Sequence, residues 1–284
     1  MTTHLGGNLM THRRVLPAAA IAALLISTAA CSADDTADVG EDTDEESAAG
    51  LTLEDVQEEG TLTVGTEGTY RPFSYHEGGS GDLTGYDVDI VTAVAEKLGV
   101  EVQFEETQWD AMFAGLESAR FDVVANQVSV TEDRQESYLF SEPYTVSNGV
   151  IVTLADNEEI TSFEDLEGKT TAQSLTSNWY DLAVEAGADV EGVEGWAQSV
   201  TLLEQGRVDA TINDKLTYLD YQATEDNENI AIAAETDDQS FAALTFRQGS
   251  ESLVEAVDEA LAELAEDGTL TEISEEYFDA DVSQ

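Results

Sequence analysis

Residues 116–126 read LESARFDVVAN, and residues 203–213, 87 positions further along the chain, read LEQGRVDATIN. Leucine, glutamate, arginine, aspartate and asparagine stand at the same places in both stretches. Each stretch has the pattern of a helix end, a turn and a strand. A single stretch of this kind is uninformative, because the connection between a helix and a strand in any α/β protein has the same pattern. Its recurrence in the two halves of the chain favours two α/β lobes.

Alternating strand-like and helix-like segments surround both copies. Residues 61–65 and 100–104 read as strands, and residues 86–98 read as an amphipathic helix. Residues 109–119 read as a helix, residues 121–125 as a strand, and residues 250–276 as two closing helices. This alternation predicts parallel sheets covered by helices. Ligands of such sheets bind at the carboxyl ends of the strands, so we expect a cleft between the two lobes.

The composition is strongly acidic. The 284 residues include 61 acidic and 10 basic side chains, which gives a formal charge of −51, while 42% apolar residues suffice for a core. So few cations cannot neutralise a run of phosphates, which excludes nucleic acid as a partner and disfavours anionic lipid headgroups. We interpret the charge as a solvated surface suited to a salty medium.

Residues 1–30 have the pattern of an export signal. A short basic region precedes the 12-residue apolar run 15–26, which is too short to span a bilayer. Small residues then lead to Cys31, which resembles a bacterial lipobox and predicts cleavage before Cys31 and lipidation of its sulfur. An ordinary signal peptide with an incidental cysteine is the alternative. The pair Arg13–Arg14 also suits twin-arginine export, and Met10 is an alternative start.

The segment after the signal predicts a tether. Residues 32–49 hold eight acidic residues and no basic one, so we expect residues 31–56 to form a disordered, lipid-anchored linker. Cys31 is the only cysteine, which excludes an intramolecular disulfide and a thiolate metal cluster. His76 is the only histidine after the signal, so a multi-histidine site is excluded too. We expect neither a metal nor a cofactor.

Charged and aromatic residues follow the predicted strands. Arg134 comes shortly after the first repeated strand, and Asp214 directly follows the second copy of the pattern. Arginine can hold a carboxylate bidentately and aspartate can pair with an ammonium group, so together they suit an α-amino acid zwitterion. Surface ion pairing is the alternative. Tyr70 and Trp109 follow the first two strands and can form the walls of a pocket.

Enzymatic motifs are incomplete. The sequence GKT at residues 168–170 resembles the end of a phosphate-binding loop, but Phe163 replaces the first glycine of that motif. We see no arrangement of a nucleophile and a base. We therefore assign no catalytic residue and favour binding over chemistry.

Several motifs in order resemble the polar amino-acid-binding proteins of ABC importers, the bacterial solute-binding protein family 3. The first two are GTEGTYRPF at residues 65–73 and LTGYDVD at residues 83–89. The others are WDAMFAGL at 109–116, NQVSVTEDR at 126–134, FSEPY at 140–144, LEGK at 166–169, DATIND at 209–214, and the stretch 267–278. The resemblance covers about residues 57–282.

The resemblance implies an α/β two-lobe periplasmic-binding-protein fold of type II, with two crossovers and a ligand cleft between lobes that close by hinge motion. Lobe 1 would comprise residues 57–147 and 245–284, and lobe 2 residues 148–244. The implied ligand-binding set is Glu67, Tyr70, Trp109, Asn126, Gln127, Ser129, Arg134, Thr176 and Asp214.

Roles within this set also follow from the resemblance. Arg134 would hold the α-carboxylate and Asp214 the α-ammonium group, while the aromatic residues enclose the ligand side chain. Residues 67–70 and 126–129 look most like the cystine-binding branch, where the amides of Asn126 and Gln127 could serve the distal zwitterion of cystine.

We therefore expect a monomeric binding lipoprotein on the outer face of the cytoplasmic membrane, attached only through its lipid anchor. It would deliver L-cystine to an ABC permease and its ATPase. Glutamine, histidine or arginine are alternative ligands. A dehydratase-type enzyme on the same fold, with Glu67 as the acid, and a sensory domain are alternatives from other classes.

Overall fold

The computed structural model describes residues 50–283. Its helices are α1 (Leu53–Glu59), α2 (Tyr86–Leu98), α3 (Met112–Glu117), α4 (Glu132–Ser137), α5 (Asn178–Glu185), α6 (Trp196–Glu204), α7 (Lys215–Glu225), α8 (Glu251–Asp267) and α9 (Thr269–Phe278). None of these helices has the length and apolar character needed to cross a membrane.

The strands are β1 (Thr61–Thr66), β2 (Thr69–Tyr70), β3 (Ser74–His76), β4 (Leu83–Thr84), β5 (Glu101–Glu106), β6 (Val123–Val124), β7 (Tyr138–Phe140), β8 (Thr145–Leu154), β9 (Thr170–Gln173), β10 (Asp189–Gly192), β11 (Thr211–Asp214), β12 (Ile230–Ala242) and β13 (Thr245–Arg247).

Lobe 1 is built on a five-stranded sheet in the order β5–β1–β6–β13–β7. β1 pairs in parallel with β5 and β6, as the helix–strand alternation predicts, whereas β13 pairs antiparallel with β6 and β7. The apolar faces of α2 and α8 pack on this sheet, and Val64, Ile90 and Leu253 are fully buried between them. The sheet therefore fixes where β1 and β6 end.

Lobe 2 has a three-stranded antiparallel sheet in the order β11–β8–β12 and a parallel pair of β9 and β10. A parallel bridge between Thr171 and Ala210 joins the two groups of strands. The long strands β8 and β12 carry the chain out of lobe 1 and back to it, which makes the two crossovers. The predicted lobe limits fall inside β8 and in the short connection between β12 and β13.

The repeated sequence pattern forms the same structure in both lobes. In lobe 1 the Asp122 backbone N–H donates to the Thr63 carbonyl (2.8 Å), and the Asp122 carboxylate accepts from the Thr63 N–H (2.9 Å). In lobe 2 Asp209 and Thr170 make the same two bonds, at 2.7 and 2.8 Å. Each aspartate thus fastens its strand to the start of the neighbouring strand.

The turn before each aspartate is also shared. Ala119 and Gly206 occupy the same place and both have left-handed backbone angles, with φ of 55° and 64°. Because this turn ends the preceding helix, α3 is shorter than the predicted helix 109–119, and Trp109–Ala111 forms a 3₁₀ turn. Left-handed angles suit glycine and strain alanine.

We predict opposite effects of exchanging these two residues. Ala119→Gly should raise the free energy of unfolding by about 0.5–1 kcal/mol because it relieves the strained angle, and Gly206→Ala should lower it by about 1 kcal/mol. No atom lies within 4 Å of a Cβ placed at Gly206, so its cost is conformational and not steric. Urea unfolding measures both values, and equal stability of Gly206→Ala and wild type would contradict this reading.

The ordered fold begins before the predicted end of the linker at residue 56, and that boundary is wrong. Thr52 and Asp55 form a capping box that starts α1. Val56 is fully buried, and Leu51 and Leu53 pack on the lobe 1 core. The Leu51 N–H also donates to the Ser250 hydroxyl (2.9 Å), which ties the segment to the start of α8. Cys31 and the rest of the predicted signal and linker lie outside the described residues.

Candidate ligand-binding cleft

Strand ends from both lobes meet around one cavity of about 290 Å³. Glu67 follows β1, Asn126 follows β6, Gln173 ends β9 and Asn213 lies near the end of β11, and all four line this cavity. The carboxyl ends of strands are where open α/β sheets bind ligands. We call this space the large cavity.

A second space, the small cavity, adjoins the large one. Tyr70, Gln127 and Trp179 line both cavities, whereas Ser129 and Asp214 line only the small one. Of the nine predicted ligand-binding residues, all but Arg134 and Thr176 line one or both of these two spaces, which share a wall.

Arg134 carries a positive charge without a carboxylate partner. Its side-chain N–H groups donate to the carbonyls of Ser129 (2.9 Å) and Thr176 (3.4 Å), and its guanidinium carbon lies 5.4 Å from the ring centroids of both Trp109 and Phe113. No carboxylate among residues 50–283 lies within 4.0 Å of it. Burial lowers the pKa of Arg134 to about 10, although the group stays charged at neutral pH.

Asp214 carries the complementary negative charge. It caps the start of α7, where one carboxylate oxygen accepts from the Leu216 N–H (2.8 Å) and from the Ser147 hydroxyl (2.6 Å). Within the described part of the chain no cationic group pairs with it. Burial raises the pKa of Asp214 to about 6, and the two hydrogen bonds oppose this shift.

Ser129 connects these two charges. Its carbonyl oxygen accepts from Arg134, and the residue lines the small cavity together with Asp214. A molecule at this place that brings its own carboxylate and ammonium group would satisfy both charges.

Three tryptophans surround the large cavity, of which sequence reasoning named only Trp109. Trp179 and Trp196 belong to lobe 2. Both stand at the start of a helix that follows a strand, α5 after β9 and α6 after β10, which is also the position of Trp109 after β5. The same positional rule applied to the second half of the sequence would have found them.

Trp179 also explains a glycine in the long strand β8. A Cβ placed at Gly149 would lie 2.5 Å from the Trp179 ring, so only glycine lets the ring lie against this strand. Gly149 pairs in register with Asp214. The ring is therefore held beside the carboxylate.

The amide of Asn126 is occupied within lobe 1. Its oxygen accepts from the Glu67 N–H (2.9 Å) and the Thr66 hydroxyl (3.1 Å), and its nitrogen donates to a Glu67 carboxylate oxygen (2.7 Å). Burial raises the pKa of Glu67 to about 7, and the bond from Asn126 opposes this shift. Asn126 thus holds Glu67 at the cavity wall.

The amide of Gln127 is occupied by Asp87, a residue that the sequence did not single out. The Gln127 backbone N–H and its side-chain nitrogen donate to the two Asp87 carboxylate oxygens at 2.6 and 2.7 Å, and the nitrogen also donates to the Thr145 hydroxyl (3.1 Å). These bonds hold Gln127 at a left-handed φ of 49°. Burial raises the pKa of Asp87 to about 6.

Thr176 lies at the edge of the cleft and lines neither cavity. Its hydroxyl donates to the Asp110 carboxylate (2.8 Å), and its carbonyl accepts from Arg134. Its place between two residues of lobe 1 makes it a contact across the cleft.

Further hydrogen bonds hold the lobes together. The Tyr70 hydroxyl donates to the Asn213 side-chain oxygen (3.1 Å) and accepts from the Thr217 hydroxyl (3.1 Å). Arg71 donates to Asp220 at 3.0 Å. The lobes are therefore closed over the cleft.

The sequence model of the bacterial extracellular solute-binding proteins, family 3, matches residues 62–280. The chain belongs to this family. Among its relatives, the L-cystine-binding protein TcyA of Bacillus subtilis (strain 168) is 56% identical over 229 residues, which is 81% of this chain and 85% of the relative.

Two solved structures of similar proteins bear on the closed arrangement. The L-cystine solute receptor of Neisseria gonorrhoeae in its unliganded open conformation is 48% identical, has a TM-score of 0.57, and matches over 83% of this chain and 100% of the receptor. An ancestral arginine-binding protein bound to arginine is 35% identical, has a TM-score of 0.72, and matches over 77% of this chain and 98% of that protein. The arginine-bound protein is less similar to this chain in sequence than the open receptor, yet its structure superposes better on this one. This difference agrees with the closed arrangement of the lobes described above.

We predict that Asp214→Asn stabilises the unliganded protein above pH 6. Because burial keeps the native carboxyl protonated up to about pH 6 while the unfolded one ionises near 3.8, the wild type loses stability as the pH rises between these values. The asparagine oxygen can still accept the two hydrogen bonds. At pH 4 the two proteins should unfold alike, and at pH 7.5 the variant should be more stable by up to about 3 kcal/mol.

Urea unfolding at the two pH values measures this difference. Asp156→Asn, which removes the same charge from an exposed turn, is the matched control and should show little change with pH. A pH-independent difference for Asp214→Asn would contradict the prediction.

Proposed function

We propose that this protein is the binding component of an ABC importer that captures an amino acid outside the cytoplasm, closes on it and delivers it to the permease. The observation that carries the proposal is the pair of unmatched charges, Arg134 and Asp214, beside one cleft. An α-amino acid brings one carboxylate and one ammonium group, so one ligand satisfies both.

Closure follows from the same pair. Arg134 lies in the predicted lobe 1 and Asp214 in the predicted lobe 2, so a ligand that binds both contacts the two lobes at once. Such a ligand has a higher affinity for the closed state than for the open one, and only differential affinity can shift this equilibrium. Tyr70, with its hydrogen bonds to Asn213 and Thr217, then stabilises the closed arrangement.

We propose L-cystine as the ligand. Two observations support this ligand. The chain has high sequence identity to relatives that are named for L-cystine, and the large cavity extends beyond the Arg134–Asp214 pair. Glu67 in the same cavity also suits a cationic side chain, so arginine is the second candidate, and glutamine and histidine complete the panel to be tested.

We further propose that the protein works as a monomer, since the charges and walls of the cleft come from one chain. Its partners would be the permease and ATPase of the importer. Binding without turnover is the expected chemistry. Glu67, the acid on which a dehydratase reading depends, is hydrogen-bonded to Asn126 within the chain.

Calorimetric titration of the purified protein in high salt tests the proposal. Stoichiometric binding of L-cystine, with the ligand recovered unchanged, is the expected result. Heat from arginine, glutamine or histidine but none from cystine would leave the transport function standing and overturn the ligand. Chemical conversion of an added ligand would favour the dehydratase-type enzyme.

We predict that Arg134→Ala abolishes amino-acid binding while the fold is retained, because no other cation of residues 50–283 that lacks a carboxylate partner is placed to replace it beside the ligand carboxylate. Asp214→Asn should weaken binding by about 2–5 kcal/mol, as expected for removal of a buried charge partner. The matched control is Arg207→Ala, whose guanidinium is exposed and paired with Glu191 (2.8 Å). Wild-type affinity in Arg134→Ala would refute the site.

We also propose that the exported protein is anchored through lipid on Cys31 after cleavage before this residue. Cells grown with labelled palmitate should incorporate the label into the wild type and not into Cys31→Ser, which should appear in the medium or periplasm. Equal labelling of both proteins, or of neither, would contradict lipidation at Cys31.

A further inference from the structure

The large cavity contains polar groups that the chain itself leaves without partners. Gln173, at the end of β9, is only 3% exposed, yet neither its amide oxygen nor its amide nitrogen has a hydrogen-bond partner. The indole nitrogens of Trp109 and Trp196 are buried and unpartnered as well. All three residues line the large cavity. Buried polar groups are nearly always paired in native proteins, so these groups point to a ligand.

Two of these residues, Gln173 and Trp196, lie beyond the place assigned to the α-amino acid end of the ligand. Gln173 and Trp196 line the large cavity but not the small one, which Asp214 lines. Of the two amides first expected to bind the far end of the ligand, that of Asn126 is bonded through both its oxygen and its nitrogen, and that of Gln127 donates its nitrogen to Asp87. Neither amide nitrogen is therefore left to bind a distal carboxylate.

The donors and acceptors at this end match one kind of chemical group. The Trp196 indole N–H and the Gln173 amide nitrogen are donors, which suits a carboxylate. The Gln173 oxygen and the Glu67 carboxylate are acceptors, which suits an ammonium group. Burial raises the pKa of Glu67 to about 7, and a cation beside it would favour its ionised form.

We infer that Gln173 and Trp196, together with Glu67, form a subsite for a second α-amino acid headgroup at the far end of the ligand. This inference rests on the proposed function and deepens it, since it assigns residues that select a two-headed amino acid such as a disulfide-linked dimer. An apolar ligand side chain leaves all these groups unpaired. A cationic side chain pairs with the two acceptors, Glu67 and the Gln173 oxygen, but leaves the N–H donors of Gln173 and Trp196 unpaired, and unmade bonds of this kind weaken binding.

The test compares four disulfides that share one intact cysteine headgroup. They are L-cystine and the mixed disulfides of L-cysteine with cysteamine, with 3-mercaptopropionic acid and with ethanethiol. The second lacks the distal carboxylate, the third lacks the distal ammonium group, and the ethanethiol compound lacks both. In wild type we expect cystine to bind at least tenfold more tightly than the ethanethiol compound.

Two variants remove the distal groups with little change of shape. Gln173→Met deletes the amide, and Trp196→Phe deletes the indole N–H but keeps an aromatic ring against Tyr221, whose ring centroid lies 5.6 Å away. Each should weaken cystine binding roughly 5- to 100-fold and leave the ethanethiol compound unaffected. Gln173→Met should also unfold at a higher urea concentration than wild type without ligand, because it removes an unpaired buried amide.

Each outcome is decisive. Binding of cystine and the ethanethiol compound with equal affinity in wild type would overturn the distal subsite while the proposed function stands, as would unchanged cystine affinity in both variants. Equal loss of both ligands in the variants would show a structural role and also overturn the subsite. Failure of wild type to bind any of the four disulfides would instead overturn L-cystine as the ligand, and the subsite with it.

Discussion

Two charges without a counterion among residues 50–283 are the constraint on which the rest of this protein depends, and of these Asp214 is buried and Arg134 partly buried. A charge moved out of water costs several kcal/mol unless another group replaces its hydration. Arg134 contacts the Ser129 carbonyl and aromatic ring faces. Asp214 contacts the Ser147 hydroxyl and the start of α7. These partners are dipoles and not counterions. These contacts hold each charge in place without neutralising it. In the proposed function the ligand supplies the counterions.

The repeated helix–turn–strand unit gives these charges a rigid support. Asp122 and Asp209 each make two hydrogen bonds to the neighbouring strand, and the cleft residues Asn126 and Asn213 follow them four positions later. A strand fastened at its start cannot slide against its neighbour, so the side chains at its end keep their position. Precise placement matters more for charged contacts than for apolar ones, because hydrogen bonds depend strongly on distance and angle.

The sequence predicted features that depend on local order. The helix Tyr86–Leu98 matches its prediction to the residue, because Gly85 and Gly99 with their positive φ angles limit it on both sides. Arg134 and Asp214 could be named because residues after strand ends face the cleft in any such sheet.

Features that depend on partners far along the chain escaped prediction. Gln127 is predicted as a ligand contact and lines both cavities, but the sequence did not reveal that its amide nitrogen is bound by Asp87, 40 positions away, on a helix that reads as merely amphipathic. The start of α1 could not be recognised from the sequence, because the capping residue Asp55 is one of many acidic residues in that part of the chain. Only tertiary packing decides which of these side chains are free.

For the proposed ligand, the raised pKa values of the Asp214 and Glu67 carboxyl groups would make capture an exchange of cations. With a pKa of about 7, Glu67 is partly protonated at neutral pH, whereas Asp214, with a pKa of about 6, takes up its proton only in a weakly acidic medium. An arriving ammonium group favours the ionised carboxylate, and the displaced proton leaves for the solvent. Occupancy of the cleft thus depends on external acidity as well as on ligand concentration, and the heat of binding includes the ionisation of whichever buffer accepts the proton.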